Sequence, residues 1–195
     1  MMKAIRAHHQ VSGGDARARR NALVLSAAQG LFMVSATIQI TVNGLVGYLL
    51  ADDKSLSTFP VTSYVLGTLI ATVPASMFMR RVGRRRGFML GAMLGTSSAA
   101  LAAFAIYASS FWLFCFAMSL SGGYQAFAQY YRFAAADTAS DAFRPKAISW
   151  VLAGGLIAAF AAPQIVIYTK DVLAPATFSG TFIASSIAGV VAMAV

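Results

Sequence analysis

Arg80-Arg81-Val82-Gly83-Arg84-Arg85-Arg86 stands between two stretches, Ser57–Met79 and Gly87–Ala108, that contain no charged side chain. Each flanking stretch has the roughly 20 residues with which an α-helix crosses a hydrocarbon core about 30 Å thick. The connection between them is short, so the two helices must be antiparallel neighbours. Its five arginines belong in water, at the end of both helices. Working outward from this turn, four more apolar blocks appear: Ala22–Leu50, Phe111–Ala134, Ala147–Tyr168 and Ala176–Val195. The gaps between blocks alternate in charge. The first holds Asp52, Asp53 and Lys54, the third only Ser109 and Ser110, and the fifth Lys170 and Asp171. The N-terminal stretch carries Lys3, Arg6, Arg17, Arg19 and Arg20, and the fourth gap is edged by Arg132 and holds Arg144 and Lys146. Every Lys and Arg except Lys54 and Lys170 thus falls on one side, which the excess of positive charge assigns to the cytoplasm. The sequence predicts an all-α fold: a short cytoplasmic tail (1–21), then a polytopic bundle of six transmembrane helices (22–195) with both termini cytoplasmic.

Composition agrees with this reading. Only 11% of residues are charged and 58% are hydrophobic, too little polar surface to cover a water-soluble globule. The net charge of +9 raises the idea of a nucleic-acid partner, but the basic residues cluster at helix ends, where topology needs them. No nucleic acid is expected; the basic ends face lipid head groups instead. The single Cys115 lies within an apolar block, where it reads as a small buried hydrophobe.

Catalytic chemistry finds no footing. The chain has no Glu, and its only two histidines are the adjacent His8 and His9 in the tail. Intramembrane metalloproteases and serine proteases need a histidine on a spanning helix. The aspartates beyond the first helix, Asp52, Asp53, Asp137, Asp141 and Asp171, lie at or past helix ends. No enzyme activity, metal site or cofactor is expected.

Uncharged polar side chains inside the blocks are more telling. Ser35, Gln39 and Asn43 recur every four residues in the first helix, and Gln125, Gln129 and Arg132 share one face of the fourth. Amides facing lipid would be left unsatisfied, so both stripes belong in the bundle interior or along a water-filled cavity. Helix–helix hydrogen bonding accounts for either stripe equally well. Their occurrence on the first helix of each three-helix group favours a shared solute pathway. Small residues recur as well. Gly91 and Gly95 form a GxxxG pair, Gly122-Gly123 interrupt the fourth block, and Gly154, Gly155, Ala158, Ala162 and Pro163 line the fifth. In lipid such residues let helix backbones approach closely, and Pro74 and Pro163 are expected kink points.

The stretch from Ser76 to Gly87 resembles the loop signature of the major facilitator superfamily, approximately G-x-L-x-D-R-x-G-R-R. Arg81, Gly83, Arg84 and Arg85 match; Ser76 replaces the opening Gly and Arg80 the acidic residue. That resemblance implies half of a twelve-helix transporter, built as two inverted three-helix repeats around a midplane site. It also implies a latch on the cytoplasmic side. With Arg80 in the acidic position, the interaction open to this chain joins Arg84 or Arg85 to Asp137. The arginine signature found in the fourth helix of many proton antiporters is absent, and the fifth helix carries a diluted form of the Gly-and-Pro pattern of proton-coupled exporters.

The expected function is solute transport by alternating access, as the N-terminal half of a secondary transporter in a bacterial inner membrane. Its partners would be membrane lipid, a small neutral or polar-aromatic solute, and a second six-helix half, since the chain stops inside its sixth apolar block. The alternative is a six-span scaffold that binds partners and moves nothing.

Overall fold

The computed structural model describes residues 17–173 and 176–193; residues 1–16 of the expected tail lie outside this range. The chain folds into α1 (Met2–Leu50, described from Arg17), a 3₁₀ turn (Lys54–Leu56), α2 (Phe59–Val82), α3 (Arg84–Tyr107), α4 (Phe111–Ala128), α5 (Tyr131–Asp137), α6 (Arg144–Thr169) and α7 (Ser179–Ala194, described to Met193). Among the described residues there is no strand. Four segments are long and apolar enough to cross a membrane: α1 from Arg17, the 3₁₀ turn with α2, α3, and α6. The helix of α7 is apolar but shorter.

Helix ends follow local chemistry. Lys54 closes α1 by donating to the carbonyls of Tyr48 (2.8 Å) and Ala51 (2.7 Å), a cation on the negative end of the helix dipole. Asp53 caps the 3₁₀ turn by accepting the Ser55 N–H (2.9 Å), a bond that lowers its pKa. Pro60 and Pro145 sit in the first turns of α2 and α6, where a missing N–H costs nothing. Gly83 turns the chain between α2 and α3 with φ +93°, a backbone conformation that favours glycine.

The fourth span departs from expectation. A single helix to Ala134, interrupted at Gly122-Gly123, is replaced by α4, a turn at Gln129-Tyr130, and the short α5. Gly122 and Gly123 continue the helix without a break; a Cβ on Gly122 would press on Thr68 N (2.6 Å) and Gly67 C (2.9 Å) of α2. The bend falls later because it buries Tyr131 and Ala135 in a cluster with Ala18, Ala22, Phe143 and Ala147. The same cluster explains why Arg17–Arg20, expected in the tail, already belong to α1: Ala18 and Ala22 are packed away. The helix runs through Pro74 in α2 and Pro163 in α6.

Packing is pairwise. α1 lies along α6, α2 along α4, α3 against both α4 and α7, and α1 also touches α7. Exchanging the first three spans for the last three maps these contacts onto themselves: first-with-fifth becomes fourth-with-second, and third-with-fourth becomes sixth-with-first. The exchange also reverses helix direction, the arrangement expected of inverted three-helix repeats. Both long parallel pairs cross through glycine. Gly30 meets the Gly154 carbonyl on the α1/α6 side, and Gly67 and Gly122 meet on the α2/α4 side. Gly91 and Gly95 of α3 instead receive the rings of Phe127 and Tyr124. The outer faces of α2 and α6 stay apolar and open, with Leu69, Ile70, Ile157 and Phe160 all exposed.

Candidate functional site

Of the α1 stripe, Ser35, Gln39 and Asn43 are all buried within the bundle. Gln39 Oε1 accepts a hydrogen bond from Ser121 Oγ of α4 at 2.8 Å, while Asn43 Oδ1 has no partner among the described residues. For Gln39 this is a bond between helices. Ser121→Ala should therefore lower the unfolding temperature slightly, by the ~0.6 kcal/mol typical of such intramembrane bonds. Gln39→Ala should cost more, about 2 kcal/mol, since it leaves a void and an unpaired hydroxyl. Thermal unfolding in detergent measures both. A larger loss for Ser121→Ala than for Gln39→Ala would contradict this arrangement.

The α4 stripe is disposed differently. Gln125 is half-buried and Gln129 is exposed at the α4/α5 turn. The Tyr64 hydroxyl of α2 donates to Gln125 Oε1 at 3.1 Å. Arg132 lies exposed, its guanidinium 5.0 Å from the Phe133 ring. Tyr64 was not among the expected site residues, although Tyr64, Thr68 and Thr72 recur every four residues on α2. The two threonine hydroxyls are spent on carbonyls of their own helix, Tyr64 O (3.0 Å) and Thr68 O (2.6 Å). Tyr64 and Gln125 thus join α2 to α4 by a side-chain hydrogen bond, and these helices belong to different three-helix repeats.

At the arginine-rich end, Arg84 pairs with Asp137 at the close of α5. Arg144 binds Asp141 (3.0 Å) and donates from Nε to the Ala136 carbonyl (3.4 Å), so α5 is held from both sides. Arg80, Arg81, Arg85 and Arg86 are exposed and have no ion-pair partner among the described residues. Ser76 Oγ bonds back to Val73 O (2.9 Å) in its own helix. Both partners of the Arg84–Asp137 pair are substantially exposed, so it contributes little to folding, about 0–1 kcal/mol. Gly154 and Gly155 sit at the α1/α6 crossing, where Gly154 packs on Ser26 and Gly155 on Met33 and Gln29, while Pro163 is exposed.

Residues 24–195 match the family model of the Major Facilitator Superfamily. The chain is also 44% identical over 178 residues to the riboflavin transporter RfnT of Brucella anthropi, an alignment covering 91% of this chain and 45% of that protein. The chain therefore spans about half the length of the curated relative it matches. An all-helical bundle whose packing survives exchange of its three-helix units, a turn carrying Arg81, Gly83, Arg84 and Arg85, and a family match over nearly its whole length lead to one assignment: this chain is an integral membrane protein belonging to the major facilitator superfamily.

Proposed function

We propose that this chain forms the N-terminal half of a transporter that carries riboflavin, or a flavin-like neutral aromatic solute, by alternating access. The observation that carries this reading is the 44% identity to a riboflavin transporter, spread over 91% of the chain. Its arginine-rich end faces the cytoplasm of a bacterial inner membrane, as the distribution of Lys and Arg favours. The bundle rocks against a second six-helix bundle, and no covalent chemistry is involved. Tyr64, Gln125 and Gln129 stand at the boundary between repeats, where transporters of this architecture hold their solute. The test is uptake of radiolabelled riboflavin by a riboflavin-auxotrophic bacterium producing the full-length protein. Saturable uptake and growth on low riboflavin are expected; a well-inserted protein that gives neither overturns the assignment.

In this reading the Arg84–Asp137 pair steadies the end of the fourth span while the cytoplasmic side is closed. Asp137→Asn should leave the amount of inserted protein near wild type, yet shift the exchange between inward- and outward-facing states and reduce uptake about 2- to 5-fold, the change of an exposed ion pair worth up to ~1 kcal/mol. Swapping the charges, Arg84→Asp with Asp137→Arg, should restore much of the rate. Unchanged uptake and unchanged accessibility of a cytoplasmic cysteine label in Asp137→Asn would remove the pair from the transport cycle.

A further inference from the structure

We propose that Tyr64 is a positioning residue: its hydroxyl holds the Gln125 amide so that the NH2 group is presented to the solute, and the site thereby selects a neutral aromatic solute through a ring carbonyl. This deepens the transport reading above and rests on it. A tyrosine hydroxyl has one proton to donate, and a glutamine amide has one acceptor oxygen and two N–H donors. The Tyr64 proton goes to Gln125 Oε1 at 3.1 Å. What remains of the amide is its pair of donors. Both side chains are half-buried, so the bond sits where the dielectric is low and orientation counts.

Packing does not require this bond. The α2/α4 crossing is already closed by Gly67 and Gly122. Its counterpart under exchange of the repeats, the α1/α6 crossing, closes through Gly30 and Gly154 and, among the described residues, bonds only from Ser26 Oγ to the Trp150 carbonyl (2.8 Å). There it makes no side-chain to side-chain bond among the described residues. The Tyr64–Gln125 pair is surplus to the architecture and specific to one of its two equivalent places. Charge is absent nearby as well: neither α4 nor α2 before Arg80 contains a charged side chain, so the surroundings suit an uncharged ligand. Gln129, at the turn that closes α4 and exposed, lies one helical turn beyond Gln125 and adds a second amide. A donor-presenting, uncharged wall is complementary to the carbonyl edge of a planar heteroaromatic ring.

The test uses full-length protein in cells, with surface amount measured by a fluorescent tag. It follows riboflavin uptake in competition with lumiflavin (the ring without its polyol) and with ribitol. Tyr64→Phe removes one oxygen and keeps the ring. It should raise the riboflavin KM about 3- to 10-fold, the range of one net hydrogen bond, with the maximal rate per surface transporter within about twofold. The lumiflavin inhibition constant should rise by the same factor. Gln125→Glu, which replaces donors by acceptors, should raise KM beyond tenfold. Tyr64→Phe combined with Gln125→Ala should be no worse than Gln125→Ala alone, the non-additivity of a coupled pair. An unchanged KM in Tyr64→Phe, or a fall in rate that tracks the surface amount, overturns the positioning role while leaving riboflavin transport intact. A raised riboflavin KM with an unchanged lumiflavin constant overturns recognition through the ring. Absence of riboflavin uptake and of lumiflavin competition in the wild type overturns both readings together.

Discussion

Gly67→Val should leave almost no folded protein in the membrane. A Cβ at Gly67 would fall inside contact distance of the Ser119 carbonyl oxygen and only 2.8 Å from both Ser119 C and Ser119 Cα. All three atoms are backbone of α4, so no side chain can swing aside; the helices must separate. Separation would undo the contacts of Gly122 with α2 and strain the Tyr64–Gln125 bond across the same crossing. In lipid there is no water to expel, and association depends on the close approach that small residues allow. Overpacking against yielding side chains costs about 1–3 kcal/mol. Against two backbones the cost should reach or exceed the top of that range, a large share of the ~5–15 kcal/mol that holds most folds together. Gly122→Val and Gly154→Val are expected to behave alike, the latter because its Cβ would press on Ser26 of α1. Gly44→Ala is the control, because nothing lies within 4 Å of a Cβ there. Size-exclusion chromatography of tagged protein in detergent reads the outcome. A monodisperse Gly67→Val peak at wild-type height would show that α2 and α4 do not approach this closely.

For the transporter proposed above, residues 1–195 produced alone should give no riboflavin uptake above background, and co-production with the proposed second six-helix half should restore it. Alternating access requires two bundles that rock about a site held between them. The outer faces of α2 and α6 expose large apolar residues such as Leu69, Ile70, Ile157 and Phe160, a surface suited to lipid or to packed helices. Background uptake from the half alone against full uptake from the pair is the largest activity difference expected for this protein. Saturable uptake by the half alone, inhibited by unlabelled riboflavin, would rule out the two-bundle mechanism. Restored uptake lost again in a Gly67→Val half would tie the two predictions to one another.

How much of this was legible from the residues differs between the stripes. The Arg84–Asp137 contact was anticipated as one of two options through the resemblance of the Ser76–Gly87 turn to the family signature, whose latch loses its usual acid to Arg80. The two polar stripes were expected on one shared pathway, yet Gln39 is buried against Ser121 while Gln125 remains half-open and bound to Tyr64. Neither Tyr64 nor Gly67 stood out among the residues of the second span, because their meaning comes from Gln125 and Ser119, 61 and 52 positions away. The glycine pair in the fourth block suggested a broken helix; the break came at Gln129-Tyr130, where Tyr131 could bury against Ala18, Ala22 and Phe143.

The helical class and the gathering of arginines at helix ends were determined by the sequence alone. These follow from local rules: hydrocarbon forces each segment to satisfy its own backbone bonds, and charge must stay at the ends. Only the tertiary structure decided which way each helix is rotated about its axis, and hence that the Gln39 amide is buried in packing while that of Gln125 stays half-open. Rotation is set by contacts between residues far apart in the chain, such as Gly67 with Ser119 and Gly30 with Gly154, and no periodicity within a single helix encodes them.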